Sequence, residues 1–272
     1  MSSSFLYKDV VFVNSRSRNS GTSSNFTIDL SKQVGQQSSI YDSASLLSFY
    51  CAKSYYLFSS ANNTFTLTEG KTSHTVTIPP GNYDVYTLQT QLVTSLNTSG
   101  TTYTYSMPEF NFTTGKYVFD VSGNGSVQPI FDFTADNRCE EILGFDISTY
   151  QFSANSLTGS YTVNLQLTNA IQVLSDIIDN NNLFSAIISN TSDYSNIQYI
   201  EQAPEFASRK LAKKDFSSCR FWLLDEASDE LNLNGTEISF SFAVFKSNPY
   251  YMQSIIDSKV DKYINKLQKK NE

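Results

Sequence analysis

The stretch from Cys219 to Lys246 reads CRFWLLDEASDELNLNGTEISFSFAVFK, and its reading decides the fold. Ile238, Phe240, Phe242 and Val244 are bulky and apolar, while Ser239, Ser241 and Ala243 between them are small, and a period of two predicts a β-strand with one face buried. Cys219 to Leu224 is apolar on both faces and predicts a strand covered on two sides, mated to the first. Trp222 and Phe240 are expected in the core. The acidic connection between the strands carries Asp225, Glu226, Asp229 and Glu230, and it closes on Asn234-Gly235, residues that accept the positive φ of a tight turn. The rest of the chain is expected to supply strands that lie beside this pair.

Composition agrees with a mainly β chain. Its 272 residues are 40% hydrophobic, 14% aromatic and only 17% charged, with 20 Phe, 17 Tyr and a single Trp. That is the make-up of pleated sheets and polar loops rather than of helical bundles. The formal charge of −7 opposes binding to nucleic acid and to anionic membranes, so no direct nucleic-acid contact is expected. Eleven of the 19 basic residues nevertheless fall in the last 64 positions. Cys51, Cys139 and Cys219 are odd in number and widely spaced, which predicts reduced packing residues rather than disulfides or a zinc site. The opening MSSSFLYKDVVFVN has no basic n-region, and its apolar run is too short for a signal peptide, so a soluble product synthesised in the cytoplasm is expected.

Further strands are predicted at Val10 to Val13, Phe26 to Leu30, within Ala44 to Phe58, at Tyr161 to Leu167, and at Leu183 to Ile188. Thr64 to Ile78 predicts a hairpin with Phe65, Leu67, Val76 and Ile78 on one face. Val85 to Leu96 has helical spacing, and Cys139 to Leu143 predicts a short helix capped by Asp136 or Asn137 and stopped by Gly144. His74 is the only histidine and has no carboxylate beside it, so it is expected to be an exposed strand residue. Adjacent Glu140 and Glu141 point in different directions and do not form an acid/base pair. No catalytic set, metal cluster or cofactor motif emerges, and the expected class is not an enzyme. Arg16 and Arg18, in the loop after the first strand, are expected to pair with acids on a neighbouring strand or subunit. The basic run Arg209 to Lys214 is expected to pair locally or between subunits, with the acidic connection as its nearest complement. Beyond Pro249, Met252, Ile255, Ile256, Val260, Ile264 and Leu267 share one helical face, with lysines largely on the rest. This C-terminal amphipathic helix needs its own sheet, a copy of itself or a neighbouring subunit to cover it; contact with a membrane surface is the less favoured alternative.

Several motifs in order carry a family resemblance. FVNSRSR followed by GTSSNFTIDL, NNTFTLTEG followed by TVTIPPGNY and a Leu-rich helix, EILGF at Glu141 to Phe145, and RFWLLDE followed by LNLNGTEISFSF resemble the penton and minor capsid proteins of the double-jelly-roll DNA virus lineage. That lineage includes virophages, Polinton-like viruses and their large-virus relatives. The resemblance spans most of residues 9 to 246, although Asn14 stands where such openings often carry Asp. It implies a non-enzymatic subunit of an icosahedral virion that contacts copies of itself, as a pentamer, and a major capsid protein. The implied fold is a jelly roll, and the strand pattern agrees with a jelly-roll β-sandwich over residues 1 to 248 with an α+β insertion at about 83 to 145; the helical tail from 249 to 272 is a departure, one that a bare penton would not need and that suits a minor capsid protein, and two successive β domains are the alternative. Arg16, Arg18, the four acids of the connection and the six apolar residues of the tail are the expected subunit-interface residues. Alternative functions are a minor capsid protein clamping capsomers through its tail, or a glycan- or receptor-binding module on the particle surface.

Overall fold

The computed structural model describes residues 5–34, 40–123, 125–135, 137–179, 183–188, 195–204 and 206–247; the tail positions Met252, Ile255, Ile256, Val260, Ile264 and Leu267 lie outside them. In chain order the strands are β1 (Phe5–Asn14), β2 (Ser20–Gly21), β3 (Asn25–Ile28), β4 (Ser43–Ala52), β5 (Thr64–Glu69), β6 (Thr72–Thr77), β7 (Thr104–Tyr105), β8 (Glu109–Asn111) and β9 (Lys116–Ser122). They continue as β10 (Ile130–Asp132), β11 (Thr149–Gln151), β12 (Ser156–Thr158), β13 (Ala170–Ser175), β14 (Leu183–Ile188), β15 (Asn196–Ile200), β16 (Arg209–Lys210), β17 (Cys219–Leu224) and β18 (Ile238–Ser247). The α-helices are α1 (Ser31–Val34), α2 (Val85–Ser99) and α3 (Cys139–Leu143). The chain is mainly β and divides into two compact units, one made of residues 1–55 and 169–272, the other of Tyr56–Thr168.

The first unit holds two antiparallel sheets. One runs β1-β18-β4-β15, with β16 also on β4; the other runs β14-β13-β17-β3-β2. Alternation places one row of each strand in a shared core, as in Val11 and Val13 of β1, Phe26 and Ile28 of β3, and Phe221 and Leu223 of β17. Rings from the two sheets meet there, with Phe221 against Phe240 at 4.9 Å and Phe184 against Phe242 at 5.4 Å between centroids. This is the face-to-face packing of a β-sandwich. The two strands of the deciding stretch are therefore not mates. β17 lies between β13 and β3, whereas β18 lies between β1 and β4 in the facing sheet. Each strand has the predicted periodicity, but a period of two does not say which sheet a strand joins. Asn234 (φ 49°) and Gly235 (φ 82°) do form the expected tight turn, closed by Thr236 N–H to Leu233 O at 3.0 Å. Phe240 is core, at 4% exposed, but Trp222 is only half-buried. It faces away from the core and is covered by the Arg220 guanidinium at 4.8 Å.

The second unit has its own core. β5 and β6 form the predicted hairpin, and Phe65, Leu67, Val76 and Ile78 are all buried. α2 begins at Asp84, whose carboxylate accepts from Tyr86 N and Thr87 N while the Thr87 hydroxyl bonds back, and its Leu88, Leu92 and Leu96 are buried. The aromatic centre joins Phe119, Phe131, Phe133 and Phe145, with ring separations from 4.9 to 6.4 Å. α3 is present, and Gly144 ends it in the left-handed conformation; the residue at its N-cap is Arg138, while Asn137 Oδ1 accepts from Cys139 N. Tyr161 to Leu167 is not a strand. Its N–H groups go to the end of α3, Tyr161 to Gly144 and Asn164 to Ile142, and to the turn at Gly115 from Val163, so no ladder forms despite the alternation. The block expected at about 83 to 145 lies inside this unit.

Candidate assembly surface

The register brings two connections to one end of the sandwich, the loop after β1 and the segment from β17 to β18. Asn14 caps a 3-10 turn, Ser15–Ser17, by accepting from Arg16 N. Ser15 donates its hydroxyl to Glu237 and accepts Ile238 N–H at 2.9 Å. Arg18 reaches both Glu237 oxygens at 2.9 Å from one nitrogen and also holds Ser15 O at 2.7 Å and Gly21 O at 3.2 Å. The Ser15 hydroxyl, then the Arg18 guanidinium, hold the Glu237 carboxyl below its ordinary value. Arg18 thus pairs with an acid at the start of a neighbouring strand. Arg16 is exposed and its side chain makes no hydrogen bond or ion pair among the described residues.

The acids of the connection have unequal roles. Asp225 is 5% exposed and folds the loop on itself, accepting from Ala227 N and Asp229 N at 2.9 Å each. Glu226 accepts from Asn169 N at 3.0 Å and Ala170 N at 3.1 Å. Partial burial acts to raise its pKa, but these donors outweigh burial and hold it low. Glu230 accepts from the Asn25 amide at 2.8 Å, and Asp229 and Glu230 stay exposed. Nothing in the acid pattern announced the role of Glu226, because its partners are backbone groups 56 and 57 residues away.

The same connection also grips the other linker. Ser54 Oγ donates to Leu233 O at 2.7 Å, and the Asn234 amide donates to Ser54 O at 2.5 Å. The chain leaves the first unit after Tyr55 and returns at Asn169. One loop, 225–237, therefore holds the backbone next to both crossings.

The lysines of the basic run reach partners away from the acidic connection. Lys213 pairs with Asp176 at 2.8 Å, Lys210 approaches Asp179 at 3.9 Å, and Lys214 donates to Tyr41 O. Pairing is local, as expected, but with the end of β13, which β16 approaches through the Ile178–Leu211 bridge.

Other reactive groups give no site. His74 is half-buried rather than exposed, with its Nε2 enclosed and without a hydrogen-bond partner. The three cysteines are free and buried; burial pushes Cys51 and Cys219 up to about 12 and raises Cys139 as well. Among the described residues no group of three or more His, Cys, Asp or Glu is placed to hold a metal, and no helix is long and apolar enough to cross a membrane. Structure also gathers what the sequence had scattered: Tyr86 and Phe112 are strongly exposed, with Tyr86 6.0 Å from Phe112 and Phe112 4.9 Å from Phe110.

No family model matches the chain, and no curated protein matches it. Among solved structures, the crystal structure of the selenomethionine-labelled mavirus penton protein is similar to it, with a TM-score of 0.47 and 11% identity over 87% of this chain and 99% of that chain.

Proposed function

We propose that the chain is a structural subunit of an icosahedral virus capsid, built on a jelly roll and placed at or beside the five-fold vertices. Strand pairing is the observation that carries this reading. Taken in chain order, the strands of more than two residues among the described residues of the first unit are β1, β3, β4, β13, β14, β15, β17 and β18. They pair first with eighth, second with seventh, third with sixth and fourth with fifth. A long antiparallel hairpin rolled into two sheets has these pairings, and it puts β17 and β18 in opposite layers. The second unit enters between the third and fourth strands. Jelly rolls serve capsids and lectins alike, so the fold alone does not choose between them. The ordered motifs, from FVNSRSR to LNLNGTEISFSF, favour the capsid.

Such a subunit would use head-to-tail contacts that close into a ring of copies and would border a major capsid protein. Arg16, Asp229 and Glu230, exposed on the loops at one end of the sandwich, are the polar residues offered to neighbours. Sedimentation of the full chain, with mass spectrometry of purified virions, tests this. The expected results are a closed ring of five and presence in the particle; a monomer at every concentration together with absence from virions would overturn it.

The Tyr86, Phe110 and Phe112 cluster supports a second reading, a glycan- or receptor-binding module, because exposed rings offer stacking faces. A glycan array should then give hits that Phe112→Ser removes; an array without hits ends that reading.

A further inference from the structure

The sheet β1-β18-β4-β15 ends on β1 at one side and on β15 at the other. In an antiparallel sheet the backbone N–H and C=O of successive residues point alternately to the two sides, so at an edge every second residue aims both groups outward. A glutamine shows which residues these are on β1. Gln33, from α1, accepts Phe12 N–H and donates to Phe12 O, each at 2.8 Å, and so stands where a neighbouring strand would stand. Phe12 therefore faces away from β18. The register is unbroken from Tyr7 to Asn14, which turns the backbone of Lys8 and Val10 the same way. On β15, Lys53 N–H to Ser195 O and Glu201 N–H to Leu47 O, both at 2.8 Å, assign the odd positions to β4. Asn196, Gln198 and Ile200 hence aim outward, and the Gln202 amide donates to Ile200 O at 3.5 Å. Among the described residues nothing bonds the outward N–H and C=O of Lys8, Val10, Asn196 and Gln198.

We propose that β1 of one copy of the chain adds to β15 of the next, so that this sheet runs on from subunit to subunit. The inference rests on the capsid reading, whose ring of copies it supplies with a seam. Direction fits. Each step from β1 to β18, β4 and β15 is antiparallel, so β1 and β15 run oppositely, and joining them between copies keeps the alternation. The contact uses a different edge on each copy, which is the head-to-tail kind that closes into rings. The two glutamines set the register. With Phe12 occupied by Gln33 and Ile200 O by Gln202, antiparallel pairing sets Val10 opposite Asn196 of the next copy and Lys8 opposite Gln198, each pair exchanging N–H and C=O. Pairing of β1 with β1 of a second copy through Lys8 and Val10 would put Asp9 opposite Asp9, and like charges in that position oppose the pairing. It would also close as a two-fold dimer and leave β15 bare.

Proline tests the seam, because it lacks an N–H and is tolerated on an edge strand where that N–H faces outward. In the full chain, Val10→Pro and Gln198→Pro should each keep the β-sheet circular dichroism of the parent and abolish the ring in sedimentation. Hydrogen exchange on the unaltered chain guards against a folding artefact. Raising the concentration until rings form should slow exchange at the amides of Lys8, Val10, Asn196 and Gln198 by about tenfold or more. The Phe12 amide, already bonded to Gln33, should change little. Rings that form unimpaired in both variants, or exchange at those amides that assembly leaves unchanged, would overturn the seam while the capsid reading stands. Loss of assembly in only one variant would overturn it in favour of that edge pairing with itself. A parent chain that stays monomeric at every concentration would overturn the seam and the ring together.

Discussion

Phe221 of β17 and Phe240 of β18 meet at 4.9 Å with planes 68° apart, so two strands close in sequence face each other across the sandwich instead of pairing within a sheet. An edge-to-face pair of this kind adds to the area each ring buries. Phe240→Ala should therefore cost about 3–5 kcal/mol in stability, as large-to-small core substitutions do. Ser239→Ala, one residue away on the outer face, should change stability by less than about 0.5 kcal/mol. Denaturant unfolding of the two variants against the parent checks the contrast, and equal effects would refute the assigned faces.

Glu69 makes the acid response of the second unit predictable. Its carboxylate is 3% exposed and accepts from Thr101 N and Thr102 N at 2.8 Å, Tyr103 N at 3.3 Å and the Tyr105 hydroxyl at 2.9 Å. Burial acts to raise its pKa, but these donors prevail and hold it below the ordinary 4.5. A depressed folded-state pKa contributes stability that is present above the unfolded value and is lost as pH falls through the folded one. Glu69→Gln should lower stability at neutral pH by about 1–3 kcal/mol and flatten the loss below about pH 4.5. Unfolding midpoints measured from pH 3 to 7 would show both changes.

Arg18 and Arg16 separate by role. The Arg18–Glu237 pair is partly exposed, with side-chain exposures of 30% and 24%, so its charge interaction contributes modestly. Arg18→Ala, which also removes the guanidinium bonds to the carbonyls of Ser15 and Gly21, should cost about 1 kcal/mol. Arg16→Ala should leave stability within about 0.5 kcal/mol. If Arg16 faces a neighbouring subunit, its loss should instead weaken ring formation in sedimentation.

The acidic connection divides likewise. Asp229→Lys with Glu230→Lys should keep the fold, because both residues are exposed, and should weaken assembly. Glu226→Gln should instead destabilise the chain by about 1–2 kcal/mol through the weakened hold on Asn169 and Ala170. Circular dichroism and sedimentation on the same samples distinguish the two; unchanged assembly in the double variant would remove the acids from the interface.

The sequence by itself determined the mainly β class, the 64–78 hairpin, α2 with its leucine stripe, the Asn234-Gly235 turn and the burial of Phe240. Each depends on residues a few positions apart, where period and turn chemistry act directly. Only the tertiary structure decided that β17 and β18 belong to opposite sheets, that Trp222 lies outside the core, and that Tyr161 to Leu167 joins no ladder. It also showed that Asp225 is buried and holds its own loop, and that Glu226, though exposed, bonds the returning chain at Asn169. The physical reason is the same in each case: which strand supplies a partner, and which distant backbone N–H lacks one, is settled by long-range pairing that no local pattern contains.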